Sequence, residues 1–95
     1  MFLAKINWIR FEDGGMKIIP TLNVKCYPMI KLESDNELLH WSFVVENKEK
    51  INDRETIAEV DFLMDNAPKY LLKKNLKFTL YEGGKKLVAY GEILN

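Results

Sequence analysis

The chain has 95 residues, 47% of them apolar and 12% aromatic, with 14 Lys and Arg set against 14 Asp and Glu and a single His. That length holds one domain, residues 1–95, and the apolar content suffices for one core, which excludes a disordered chain. Zero net charge lacks the general basic footprint of a nucleic-acid binder, and the one cysteine, Cys26, can form neither an internal disulfide nor a multi-cysteine zinc site.

Met1 reads as the start of a whole small protein. The opening FLAK has neither the basic start nor the roughly 7–15 apolar residues of a signal peptide. No segment approaches the roughly 18 apolar residues of a membrane span, so no membrane association is expected. A reduced cytoplasm suits the lone thiol. The neutral total conceals an uneven distribution: residues 1–32 sum to +3, residues 33–65 to −7 and residues 66–95 to +4. The basic last third carries Lys69, Lys73, Lys74, Lys77, Lys85 and Lys86.

In chain order the dominant pattern is alternation with period two, the signature of half-buried strands. Phe2, Ala4, Ile6 and Trp8 share one face, opposed by Lys5 and Asn7. Glu12-Asp13-Gly14-Gly15 follows, and a Gly-Gly pair supplies the positive φ of a tight hairpin. Leu22–Leu32 is a weaker strand, broken at Pro28, which has no N–H to give a ladder. Val24–Tyr27 lies before that break and Met29–Leu32 after it. Ser34-Asp35-Asn36 marks a turn. Leu39, Trp41, Phe43 and Val45 then alternate with His40, Ser42 and Glu46, and Asn47–Arg54 reads as a long charged loop. Thr56, Ala58, Val60, Phe62 and Met64 form the next strand face, opposed by Glu59 and Asp61. After Asp65-Asn66-Ala67-Pro68, the stretch Lys69–Lys74 suggests one short helical turn with Tyr70, Leu71 and Leu72 directed inward. Leu76, Phe78 and Leu80 make a further face, Glu82-Gly83-Gly84-Lys85 a second hairpin turn, and Leu87, Ala89, Gly91 and Ile93 the last face. Six short strands in so small a chain bury one face each most readily by closing into an antiparallel barrel, with a β-sandwich as the alternative.

Catalytic patterns are sparse. His40, the only imidazole, falls on the polar face of its strand, and nothing local brings it or a lysine to Cys26. Glu59 and Asp61 sit at i and i+2, about 7 Å apart on one strand face, a spacing more often held by two solvated charges than by a glycosidase pair. No calcium loop, GxxxxGK[ST] or GxGxxG occurs, and neither a cofactor nor a metal is expected.

Residues 76–94, LKFTLYEGGKKLVAYGEIL, resemble the closing hairpin of translation elongation factor Tu, in which R-F-x-[IL]-R-E-G-G-R precedes V-x-x-G-x-[VI]. FLAKINW at residues 2–8 followed by FEDGG at 11–15 is similar to that family's F-x-A-x-[VI]-x-x-L…E-E-G-G-R. Tyr27-Pro28 falls at its Y-R-P segment, with Tyr27 at the Arg and Cys26 at the Tyr, while Tyr81 stands where the family has Arg before Glu82. The resemblance implies a stand-alone counterpart of the third, C-terminal domain: an all-β, six-stranded antiparallel Greek-key barrel. Without the nucleotide-binding domain it implies no GTP binding. In that family the E-G-G turn lies on the tRNA side, which makes Glu82, Gly83, Gly84 and Lys85 the matching positions.

The leading expectation is therefore a non-catalytic module that binds a protein partner, with Asn47–Arg54 as the variable recognition element. The alternative is an RNA-binding protein using Tyr81 for stacking with Lys73, Lys74, Lys85, Lys86 and the other lysines of the last third. An enzyme built on Glu59/Asp61 or Cys26/His40 is the weakest reading.

Overall fold

The computed structural model describes residues 2–32, 41–83 and 86–95. Among these residues seven strands form, β1 (Phe2–Trp8), β2 (Lys25–Cys26), β3 (Met29–Leu32), β4 (Phe43–Lys50), β5 (Glu55–Phe62), β6 (Lys77–Glu82) and β7 (Lys86–Ile93), with two 3₁₀ turns, Phe11–Asp13 and Lys69–Leu71. Among the described residues there is no α-helix, and no helix is long and apolar enough to cross a membrane. All strands join one antiparallel sheet in the order β2-β4-β5-β1-β7-β6-β3.

The alternation read from the sequence becomes the core. Ala4, Ile6 and Trp8 of β1, Phe43 and Val45 of β4, Ala58, Val60 and Phe62 of β5, and Phe78 and Leu80 of β6 are buried together with Ile30, Leu32 and Ile93. Phe43 stands at its centre, edge-on to Phe62 and to Phe78 with ring centroids 5.4 Å apart in both pairs, the arrangement that aromatic quadrupoles favour. Phe78 faces Gly91 across the β6–β7 ladder. A Cβ on Gly91 would lie 2.3 Å from the Phe78 ring, so this position is glycine because the ring occupies the space.

The all-β antiparallel architecture is as expected, but the barrel is not closed by the ladder: β2 and β3 end the sheet and are not paired with each other. Both belong to the one segment Lys25–Leu32, divided by Tyr27-Pro28 where proline withholds a donor. Its first part pairs with β4 (Cys26 with Val45) and its second with β6 (Ile30 with Leu80). Between them, Phe43 N–H donates to the Pro28 carbonyl at 2.7 Å, Ile30 N–H donates to Trp41 O at 3.3 Å, and Met29 bridges Ser42.

Five local expectations are corrected. Gly14-Gly15 does not turn a hairpin, because β1 pairs with β5 and β7 and the next strand, β2, lies at the far edge beside β4. The pair instead closes a 3₁₀ turn: Gly14 adopts φ +94°, and a Cβ on Gly15 would lie 2.0 Å from the Ile9 carbonyl oxygen. Asn47–Arg54 is not a long loop, since β4 runs to Lys50 and β5 begins at Glu55. Tyr70 is 76% exposed, because a single 3₁₀ turn can direct only part of its residues inward; Leu71 is half-buried against the core and Leu72, just past the turn, is buried. In β7, a bulge opposite Leu80 and Tyr81 turns Val88 into the core beside Ala89 and breaks the expected alternation through Leu87. Met64 lies past the end of β5 and is exposed. The turn Ser34-Asp35-Asn36, together with Leu39 and His40, lies outside the described residues.

Asn47 explains why polarity misled the reading of its segment. Its side chain is buried, yet every polar atom is used: the carboxamide oxygen accepts from Thr56 Oγ1 at 2.7 Å and the amide donates to the Pro20 carbonyl at 3.0 Å. Thr56 Oγ1 in turn accepts the Trp8 indole N–H at 3.0 Å. With Asn23 N–H on the Asn47 carbonyl (2.7 Å) and the Arg54 guanidinium on Met16 O (3.1 Å), this chain ties the irregular stretch after Gly15 over one end of the core.

Candidate functional site

Because Phe78 and Leu80 point inward, β6 must present Lys77, Thr79 and Tyr81 on the outside. The same rule exposes Lys31 on β3, Tyr90 and Glu92 on β7, and Lys5 and Asn7 on β1. Strand register brings these together. One row runs across five strands, Lys31, Thr79, Tyr90, Asn7 and Glu55, each paired with the next. The neighbouring row is Lys77, Glu92 and Lys5. Thr79 is therefore the small floor of a concave patch, with Lys31 and Tyr90 on the flanking strands and Lys77 and Tyr81 two residues away on its own strand. A hollow of about 670 Å³ opens here, within the size range of ligand sites. A second hollow of about 620 Å³ continues from it past Tyr90 and Asn7 to Arg10 and Arg54.

The charges differ in how far they are already engaged. Lys5 Nζ lies 3.0 Å from Glu55, whose carboxyl is held below its ordinary pKa first by the Asn52 side-chain amide and then by Lys5. Neither Lys31 nor Lys77 has an ion-pair partner among the described residues. Glu92 is the one carboxylate of the patch without such a partner, and it faces Lys77 across the ladder.

The site residues expected from sequence are dispersed. Tyr81 lines the hollow. Glu82 and Lys86 face each other at the first rung of the β6–β7 hairpin, with Gly83 at φ +60° in its turn, while Gly84 and Lys85 lie outside the described residues. Lys73 and Lys74 precede β6 at its other end, separated from that hairpin tip by the length of the strand, about 17 Å. Lys69 approaches Asp61 at 3.9 Å. The described lysines of the last third thus form no single patch, and Lys77 alone of them lines the hollow. The sequence reading missed Thr79, Tyr90 and Lys31 as site residues. Their outward phase was legible, but the pairing of β3 with β6 that assembles them was not.

The catalytic candidates among the described residues, Cys26, Glu59 and Asp61, are engaged structurally, and His40 lies outside them. Cys26 Sγ–H donates to Val45 O at 3.5 Å, and burial, reinforced by the charge of Glu82, pushes the thiol up to about 11, so it stays protonated at neutral pH. Glu59 stands opposite Glu46, and Lys48 lies between them as a shared cation, contacting Glu46 closely and Glu59 at 3.9 Å. Asp61 Oδ1 accepts the Phe62 N–H at 2.8 Å. Neither Glu59 nor Asp61 lines the hollow, and no group of three or more potential metal ligands occurs among the described residues. Comparison with protein-family models, curated proteins and solved structures finds no match to this chain, and so no link to elongation factor Tu.

Proposed function

We propose that this chain is a non-catalytic binding module that engages its partner through the outer face of β3, β6, β7 and β1. The observation that carries this reading is the hollow over Thr79, where Tyr81 and Tyr90 stand beside Lys31 and Lys77, two ammonium groups with no ion-pair partner among the described residues. Such a surface suits binding: it brings aromatic faces and cations together on one floor. We read the sheet behind it as a six-stranded barrel in which Lys25–Leu32 is one bent strand. The pairing of that segment with both β4 and β6 supports this, as does the Phe43 to Pro28 hydrogen bond. A barrel of this kind would hold the outer face rigidly, because four strands contribute to one patch.

Of the two partner classes expected from sequence, a protein and an RNA, the cations and tyrosines around Thr79 favour RNA at this face. The test is affinity capture from a cell extract with the wild-type chain and with Thr79→Glu, which fills the hollow with an anion while leaving the inward core untouched. The reading expects a partner that is captured by the wild type and lost with Thr79→Glu. Identical capture by both chains would place the binding surface elsewhere.

A further inference from the structure

We propose that the hollow over Thr79 accepts a nucleotide unit, its base laid against Tyr81 and Tyr90 and its phosphate held by Lys31 and Lys77. The inference rests on the outer-face reading above and names the ligand chemistry for it. Two kinds of group converge on one small floor. Lys31 and Tyr90 flank Thr79 on adjacent strands, about 5 Å away on either side, and Lys77 and Tyr81 flank it along β6 at about 7 Å. The lysines lie toward the β3 side and toward the start of β6, the tyrosines toward β7 and the end of β6, so cation and aromatic each occupy one side of the hollow.

A ligand that satisfies both sides carries an anion and a flat ring one group apart, which is the make-up of a nucleotide. Tyrosine stacking accepts any base, and a lysine is a point charge suited to phosphate. A duplex does not fit this description, because its bases are stacked on one another and offer no free face to Tyr81 and Tyr90. The ligand is then either a free nucleotide or one nucleotide of a single strand. The continuation of the hollow past Tyr90 gives a strand somewhere to run, along a lining in which Arg10 and Arg54 alternate with Asp13, Asp53 and Glu55, so it adds length and not net positive charge. Glu92, opposite Lys77, opposes the phosphate and keeps binding modest.

The experiment titrates the full chain at low salt with a single-stranded oligouridylate and, separately, with uridine monophosphate, reading intrinsic fluorescence. A single-strand ligand gives saturable binding by the oligonucleotide with a weaker or absent response to the monophosphate; a free-nucleotide ligand gives the reverse order, and either result supports the site. One phosphate held by the two lysines predicts a log–log salt slope of about −0.7 for the oligouridylate. Tyr90→Ala is expected to weaken binding about ten-fold and Lys31→Gln with Lys77→Gln to flatten the salt slope, whereas Glu92→Gln tightens binding. All these side chains point outward, and unchanged thermal melting of each variant shows that it is folded. Absence of binding by both probes at low salt, or binding indifferent to these substitutions, overturns the proposal. If it is overturned while capture still depends on Thr79, the outer face binds a protein and only the nucleotide inference falls.

Discussion

Replacing Asn47 by alanine should destabilise the fold by about 2–4 kcal/mol, although the sequence places this residue at the start of a charged, polar run. Two bonds vanish. The donation to the Pro20 carbonyl, made by a part-buried pair, is an ordinary hydrogen bond of about 1 kcal/mol. The Thr56 hydroxyl is fully buried and loses its acceptor, which leaves an orphaned donor costing about 1–3 kcal/mol more. Urea denaturation followed by tryptophan emission measures both the loss and the local environment, because Trp8 donates to the same Thr56 oxygen. The midpoint should fall with an unchanged slope, since the core is otherwise retained. In a double-mutant cycle with Thr56→Val, the two losses should be less than additive by about 1 kcal/mol or more, because both substitutions break the same bond. A loss below about 0.5 kcal/mol for Asn47→Ala, or strict additivity in the cycle, would refute the buried chain from Trp8 to Pro20.

Gly91→Ala forces a methyl group into the Phe78 ring, which is backed by Phe43, and should lower stability by about 1–3 kcal/mol in thermal or urea melts; an unchanged midpoint contradicts that packing. Gly15→Ala meets the Ile9 backbone, which cannot rotate away as a side chain can, and should be the more damaging of the two. Cys26 supplies a pH prediction. Its folded pKa, about 11, lies above the ordinary thiol value of 9.0, so folding favours the protonated form. That contribution is full below pH 9.0 and is lost as the pH rises from there toward about 11. Iodoacetamide should accordingly modify Cys26 more slowly than an unhindered thiol at pH 8, with Glu82→Gln raising the rate; modification at the unhindered rate would contradict the assignment. Lys48→Met leaves Glu46 and Glu59 opposed without their shared cation, and should lower the melting temperature more at low salt than at high salt.

Much of the sheet was legible because alternation is local. Ala4, Ile6 and Trp8, or Thr56 through Phe62, announce their faces without reference to any partner. Pro28 likewise declared the break between β2 and β3 through its missing donor. What failed depends on partners distant in the chain. The Gly14-Gly15 pair has the chemistry of a hairpin turn, yet β1 is claimed on both sides by β5 and β7, which leaves no neighbouring edge for the strand that follows. Asn47 reads as solvent-facing until Thr56 and Pro20 are placed against it. The candidate site shows the same division. Tyr81 could be singled out from its position beside the Glu82-Gly83-Gly84 turn, but the lysines grouped with it by sequence lie at both ends of β6. Lys31 joins Tyr81 only through the pairing of β3 with β6.

The nucleotide site on the outer face is tested most directly by amide chemical-shift mapping of the isotopically labelled chain, titrated with a single-stranded oligonucleotide at low salt. The account predicts shifts that cluster on Lys31, Lys77, Thr79, Tyr81 and Tyr90, residues of three different strands that share one patch. Shifts confined to the Glu46–Glu59 side of the sheet or to the hairpin tip at Glu82 and Lys86, or none at all, would contradict it.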